Sequence, residues 1–164
     1  MRDIQSWLDE YSMSHRNPKN KLIHWICVPI ILWTVIALLW SIPFPAVAGP
    51  WINVATIVAF LSILYYAMLS LSLALGMTVI SGFFLYSCHL LSAHVAMPLW
   101  LIAIVAFVLA WIGQFIGHEI EGKKPSFFRD VQFLMIGPAW LLHFIYRKAG
   151  IPYQWGLLHS GSGK

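Results

Sequence analysis

LIHWICVPIILWTVIALLW (residues 22–40) opens a run of 97 residues with no Asp, Glu, Lys or Arg, and LWLIAIVAFVLAWIGQFIGH (residues 99–118) closes it. All sixteen formally charged side chains lie in the first 21 residues or the last 46. A water-soluble domain needs charge over its whole surface. A bilayer demands the opposite, because an ion at mid-membrane costs several kcal/mol. The middle of the chain is therefore read as lipid-embedded. At about 20 apolar residues per crossing, the run has room for four helices with tight turns. With 164 residues, 60% of them hydrophobic, and a mean hydropathy of +0.76, the expectation is a single all-α membrane domain.

Working outward, the N-terminal segment 1–17 predicts a short amphipathic helix over residues 2–14 at the membrane interface. Ile4, Trp7, Leu8 and Tyr11 share a face by helical spacing. Asn17-Pro18 is a helix start, with a capping amide and a proline that fits the first turn. Four spans are expected over about 18–40, 51–72, 77–91 and 98–117. Pro29 predicts a kink in the first, SIPFPAVAGP (41–50) a turn after it, and Gly76 or the LSLSLALG stretch (69–76) the second turn. Residues 118–164 form a basic loop, a short apolar segment and a tail. The apolar segment, 131–146, is too short for a crossing and contains Gly137-Pro138, so a re-entrant or interface-lying helix is expected. The two cysteines, Cys27 and Cys88, fit neither a metal knuckle nor a disulfide framework. The N-terminal segment is acidic without an apolar stretch, unlike a signal peptide. The terminal GSGK lacks the leading glycine of a phosphate loop.

Arg2, Arg16, Lys19 and Lys21 precede the spans, Lys123, Lys124 and Arg129 follow them, and the turns between have no basic residue. The positive-inside rule then places both termini in the cytoplasm, with a bacterial inner membrane favoured, and requires an even number of crossings. The net charge of +4 suits anionic headgroups rather than nucleic acid. An even count also brings His24 and His118 to the same membrane face.

That shared face is where the polar residues crowd. HRNPKNKLIH (15–24) enters the neutral run and QFIGHEIEGKKP (114–125) leaves it. Asn20 and His24 are one turn apart, as are Gln114 and His118, and Glu121 lies a further turn on. A metal-bound imidazole needs its second nitrogen oriented by a hydrogen bond, and an amide oxygen one turn away is one supplier. His15, before the Asn-Pro break, can fold back toward His24. Three imidazoles and a carboxylate suit iron, zinc or copper. A histidine at a membrane interface more commonly meets only headgroups and water. Here three histidines, two amides and a carboxylate converge, which favours a site. His143 and Glu119 are second candidates. His89 and His94 point apart near the opposite face and read as interface residues. The sequence has no nucleophile elbow, no complete H-E-x-x-H and no intramembrane acid for proton-coupled transport.

The two edge motifs, Y-x-x-x-H-x-N-x-x-N-x-x-x-H (11–24) and Q-F-x-G-H…E-G-x-x-P (114–125), with SFFRDVQFLMIGPAW (126–140) after them, resemble the membrane-embedded 2-hydroxy fatty acid dioxygenase family in its small prokaryotic-type branch. The resemblance implies Fe(II)-dependent shortening of long-chain 2-hydroxy fatty acids by one carbon, with O₂ as co-substrate. It implies metal roles for His15, His24 and His118. Glu121 is assigned here as a further ligand, Asn20 and Gln114 as supports behind the ligands, and Lys123, Lys124 or Arg16 as partners of the substrate carboxylate. The substrate supplies all four electrons that O₂ takes up, so no reductase partner is expected. The competing readings are a membrane scaffold or lipid-binding protein with structural histidines, and a zinc-dependent lipid hydrolase.

Overall fold

The computed structural model describes residues 6, 8, 11, 12, 17–45, 49, 51–122 and 135–152. Most of the amphipathic N-terminal segment, His15, Arg16, Lys123, Lys124 and the tail lie outside the described residues. The described chain is all-helical: α1 (Pro18–Trp40), α2 (Val54–Leu69), α3 (Leu71–His94), α4 (Leu99–Glu121) and α5 (Ile136–Ala149). Three of these, α1, α3 and α4, are long and apolar enough to cross a membrane, and α2 is a shorter apolar helix.

Two clusters of buried side chains fix the direction of each helix. One gathers Val28 of α1, Tyr66 and Leu69 of α2, Leu73 and Met77 of α3, and most of the first half of α5. The other gathers Ile36 and Ala37 of α1, Ala55 of α2, Cys88 of α3, and Leu99 and Ala103 of α4. Helices α1 to α4 therefore alternate in direction between a near end, where α1 begins and α4 finishes, and a far end. Even the short α2 travels from one cluster to the other.

Local chemistry sets the boundaries. Asn17 caps α1, its side chain accepting from the Lys19 amide, with Pro18 in the first turn. The helix continues unbroken through Pro29. A reciprocal capping box between Asn53 and Thr56 starts α2 three residues later than the sequence suggests. Between α2 and α3 stands a single extended residue, the fully buried Ser70, whose hydroxyl accepts from the Leu73 amide. The turn thus falls in the LSLSLALG stretch, and α3 starts at Leu71 rather than at residue 77. Gly76 lies inside α3, where a Cβ would collide with the Tyr146 hydroxyl and come within 2.5 Å of Leu142; it is the seat on which α5 rests. Helix α4 runs on past Gly117 to Glu121 and stops at Gly122, whose φ of +71° suits glycine.

The closest helix pair is α1 with α4. Gly113 and Gly117 of α4 face Cys27 and Asn20 of α1, and a Cβ at these glycines would sit 2.6 Å from the Cys27 Sγ and 2.5 Å from the Asn20 Oδ1. Small residues one turn apart let two helix backbones approach, which is how helices associate where lipid supplies no hydrophobic drive. Helix α5 covers the near end with its first eight residues all buried. Its Trp140 donates to Ser12 Oγ at 2.7 Å, and the Tyr66 hydroxyl donates to the Met135 carbonyl. Leu8 and Tyr11 are buried in the same cluster, so the described part of the N-terminal segment docks into the bundle.

Candidate metal centre

At the near end the α1–α4 crossing brings His24 and His118 together. Their rings stand edge to face, with centroids 5.4 Å apart. His24 is 1% exposed and His118 8%. The Nδ1 of His24 lies 3.0 Å from the backbone carbonyl of Asn20. A carbonyl only accepts, so Nδ1 carries the proton of the neutral ring, and Nε2 keeps the lone pair that a metal takes. The orienting oxygen is thus the main-chain one; the side-chain amide expected for this task is engaged elsewhere.

That amide meets Glu121. Asn20 Nδ2 donates to Glu121 Oε2 at 3.1 Å, and the same oxygen accepts the Asn17 backbone N–H at 2.9 Å. The carboxylate closes the positive end of α1, where an anion is favoured and a main-chain donor is otherwise unmet. It ties the last turn of α4 to the first turn of α1. With Nδ2 fixed on the carboxylate, Asn20 Oδ1 turns toward Gly117.

Asn20 is 0% exposed and Gln114 5%, yet neither Asn20 Oδ1 nor Gln114 Oε1 has a hydrogen-bond partner among the described residues. A buried acceptor without a donor costs about 1–3 kcal/mol. Two of them beside two imidazoles mark a place that awaits donors or a cation. Tyr11 joins this neighbourhood, its ring 6.5 Å from His24 and 5.1 Å from Trp140. Gly137 makes room, since a Cβ there would lie 3.3 Å from the Tyr11 hydroxyl. In the sequence Tyr11 stands on the amphipathic stripe and opens the first edge motif, with no role in the site assigned to it. Gly117 belongs to the second edge motif, but its pairing with Gly113 as G-x-x-x-G is a signal for the close helix approach that the sequence reading leaves unused.

The residues fit a metal as follows. Two neutral imidazoles at this spacing can share one ion with metal–nitrogen bonds of about 2.1 Å. Among the described residues no group of three or more His, Cys, Asp or Glu side chains is arranged to hold a metal ion. The third histidine of the expected set, His15, lies outside them. His143 is buried on α5, beside the Phe144 ring. Glu119 is an exposed residue of the last α4 turn. His89 sits at the far end, its ring 4.6 Å from Trp51 and 6.2 Å from Trp40, and His94 is exposed at the end of α3. Both are remote from the pair.

Helices α1, α3 and α5 line a cavity of about 390 Å³ whose surface is almost entirely apolar. This falls within the ~300–1,000 Å³ typical of ligand pockets. Val28, one turn beyond His24, forms part of its wall.

Three helices long and apolar enough to cross a membrane, a buried histidine pair and an apolar cavity lined by α1, α3 and α5 define a membrane-associated helical bundle. Residues 1–149 match the model of the Mpo1-like family, described as 2-hydroxy-palmitic acid dioxygenase Mpo1-like, and the chain belongs to that family. It is 29% identical over 154 residues to the 2-hydroxy-palmitic acid dioxygenase MPO1 of Saccharomyces cerevisiae, an alignment covering 92% of this chain and 84% of the yeast protein. No solved structure matches it.

Proposed function

We propose that this protein is an Fe(II)-dependent dioxygenase that converts long-chain 2-hydroxy fatty acids to fatty acids one carbon shorter. The observation that carries the reading is the buried His24–His118 pair, with one nitrogen of His24 already committed to the Asn20 carbonyl. The name of the yeast relative supplies the substrate class. The reaction balances without further reagents: 2-hydroxy acid plus O₂ gives the shortened acid, CO₂ and water, with all four electrons drawn from the substrate.

His24 and His118, with His15 as the third imidazole, are the residues that would hold the iron. When bound, the iron supplies O₂ activation and a Lewis-acid seat for the 2-hydroxy carboxylate. The Asn20 carbonyl holds the His24 ring in one tautomer and one orientation. Gln114 Oε1 receives a donor from the reacting end, the substrate hydroxyl or a water. Glu121, placed in the sequence reading among the ligands, is assigned instead as the clamp that fixes Asn20, because its Oε2 already serves two donors. Lys123, Lys124 and Arg16, on the flanks assigned to the cytoplasmic side, steady the carboxylate at the rim.

The test is turnover by purified protein loaded with iron(II), given O₂ and 2-hydroxy-palmitic acid, with product mass read under ¹⁸O₂. The acid one carbon shorter is expected without stoichiometric reductant, and palmitic acid should be inert. Product that requires 2-oxoglutarate or NADPH contradicts the electron count. Stoichiometric zinc with hydrolytic activity supports a hydrolase, and failure to take up any metal supports a scaffold.

A further inference from the structure

The cavity between α1, α3 and α5 has a direction. At one end its wall is Trp25 and Val28, the latter on the same face of α1 as His24 and one turn away. At the other end stand Leu32 and Phe84, both packed against the far-end cluster. From His24 to Leu32 the helix rises about 12 Å. Apart from the Trp25 indole every lining side chain is purely hydrocarbon, so the cavity offers little to a polar ligand. Neither histidine of the pair lines it; His24 lies one helical turn from the lining residue Val28. Such a space suits a molecule with a polar head at the imidazoles and a bent hydrocarbon tail, since ~12 Å of helix is shorter than an extended sixteen-carbon chain. Two lining residues of α3, Val79 and Phe83, are 73% and 68% exposed, so the cavity opens sideways on the apolar outer surface of the bundle. A tail can slide in from the bilayer without crossing water.

We propose that this cavity is the alkyl-chain subsite and that Leu32 and Phe84, which close its far end, set the chain length accepted. The assignment rests on the dioxygenase reading for its head group but is carried by the cavity's own geometry. A tail arriving from lipid gains little from burial, since lipid is as apolar as the cavity. Its contribution is therefore fit: a chain that ends at Leu32 and Phe84 holds its head in register with His24, and a longer one pushes the head out.

The experiment uses the full chain in bilayer nanodiscs and a 2-hydroxy-palmitic acid bearing a diazirine near its tail end. Photolabelling is expected on Leu32, Ile80 and Phe84, and excess unlabelled 2-hydroxy-palmitic acid should suppress it. Labels on the outward residues of α4, such as Val105 and Val108, overturn the proposal. So does equal competition by phospholipid, which would make the cavity an ordinary lipid niche. In parallel, kcat/KM is measured over a series of 2-hydroxy acids. Phe84→Ala should move the optimum to longer chains. Val79→Trp, at the exposed lip and clear of the core, should lower the long-to-short ratio about tenfold per displaced methylene. An unchanged profile in both variants, with labelling elsewhere, ends the idea. Labelling is read independently of turnover. A native protein that labels in the cavity but turns over no 2-hydroxy acid therefore sinks the dioxygenase reading and leaves the subsite.

Discussion

The two ends of the bundle use the same residue type in opposite ways. At the near end His24 and His118 are buried, face each other across the α1–α4 crossing, and stand among amides and a carboxylate. At the far end His89 is only partly buried and is boxed by Trp40 and Trp51, in the manner of an interfacial aromatic belt. Both sets occupy helix ends in an apolar chain. What separates them is the company of other polar groups and the glycines that let the backbones close. A histidine near a membrane face becomes a candidate ligand when a second helix delivers another to it.

The strongest way to break this comparison is to exchange the fates of the two ends. His24→Ala and His118→Ala should each abolish stoichiometric iron and turnover while the protein still inserts, with His89→Ala leaving both intact. Elemental analysis and product assay of the three variants decide it. Iron retained in either near-end variant removes that residue from the site.

Next in size is the crossing. Gly117→Ala drives a methyl into the Asn20 Oδ1 and should destabilise the bundle by about 1–3 kcal/mol. Gly82→Ala, with nothing within 4 Å of its Cβ, should be neutral or stabilising by up to about 1 kcal/mol. Unfolding in mixed micelles reads the difference, and equal effects would deny the close approach its importance.

Glu121→Gln should cost roughly 1.5–2 kcal/mol from the loss of charge-assisted bonds to the α1 terminus. Iron should still bind at full stoichiometry, with weakened affinity. Complete loss of iron would return Glu121 to the ligands. The smallest effect belongs to the far end. Asn53→Ala removes the α2 capping box and should cost about 1 kcal/mol of stability with no change in iron affinity. A shift in iron affinity there would mean that the two ends are coupled.

Much of this was legible in the sequence because charge is a coarse and reliable signal. The neutral run and its basic flanks gave the helical bundle, and an even count of helices put His24 and His118 at one end. The finer features were hidden for identifiable reasons. Ser70 makes a turn with one residue and no Gly or Pro, so the sequence narrows it only to the LSLSLALG stretch or Gly76. Helix spacing showed that Glu121 shared a face with His118, but only tertiary packing decides that its oxygen meets the α1 terminus. The burial of α5 depends on Gly76 and Gly137 meeting side chains from distant parts of the chain, which no local window contains.

The Asn17–Glu121 contact joins positions 104 residues apart, and this has a consequence for how the protein is born. At translation rates of about 5–20 residues per second, the first helix waits roughly 5–20 s for its partner. Through that interval Asn20 and His24 are polar groups on an apolar helix, with neither Gly117 beside the amide nor Glu121 to cap the terminus. The centre cannot assemble piecemeal: it comes into being only when the fourth helix arrives, so a ribosome that stalls before residue 121 leaves a membrane-inserted chain with half a site.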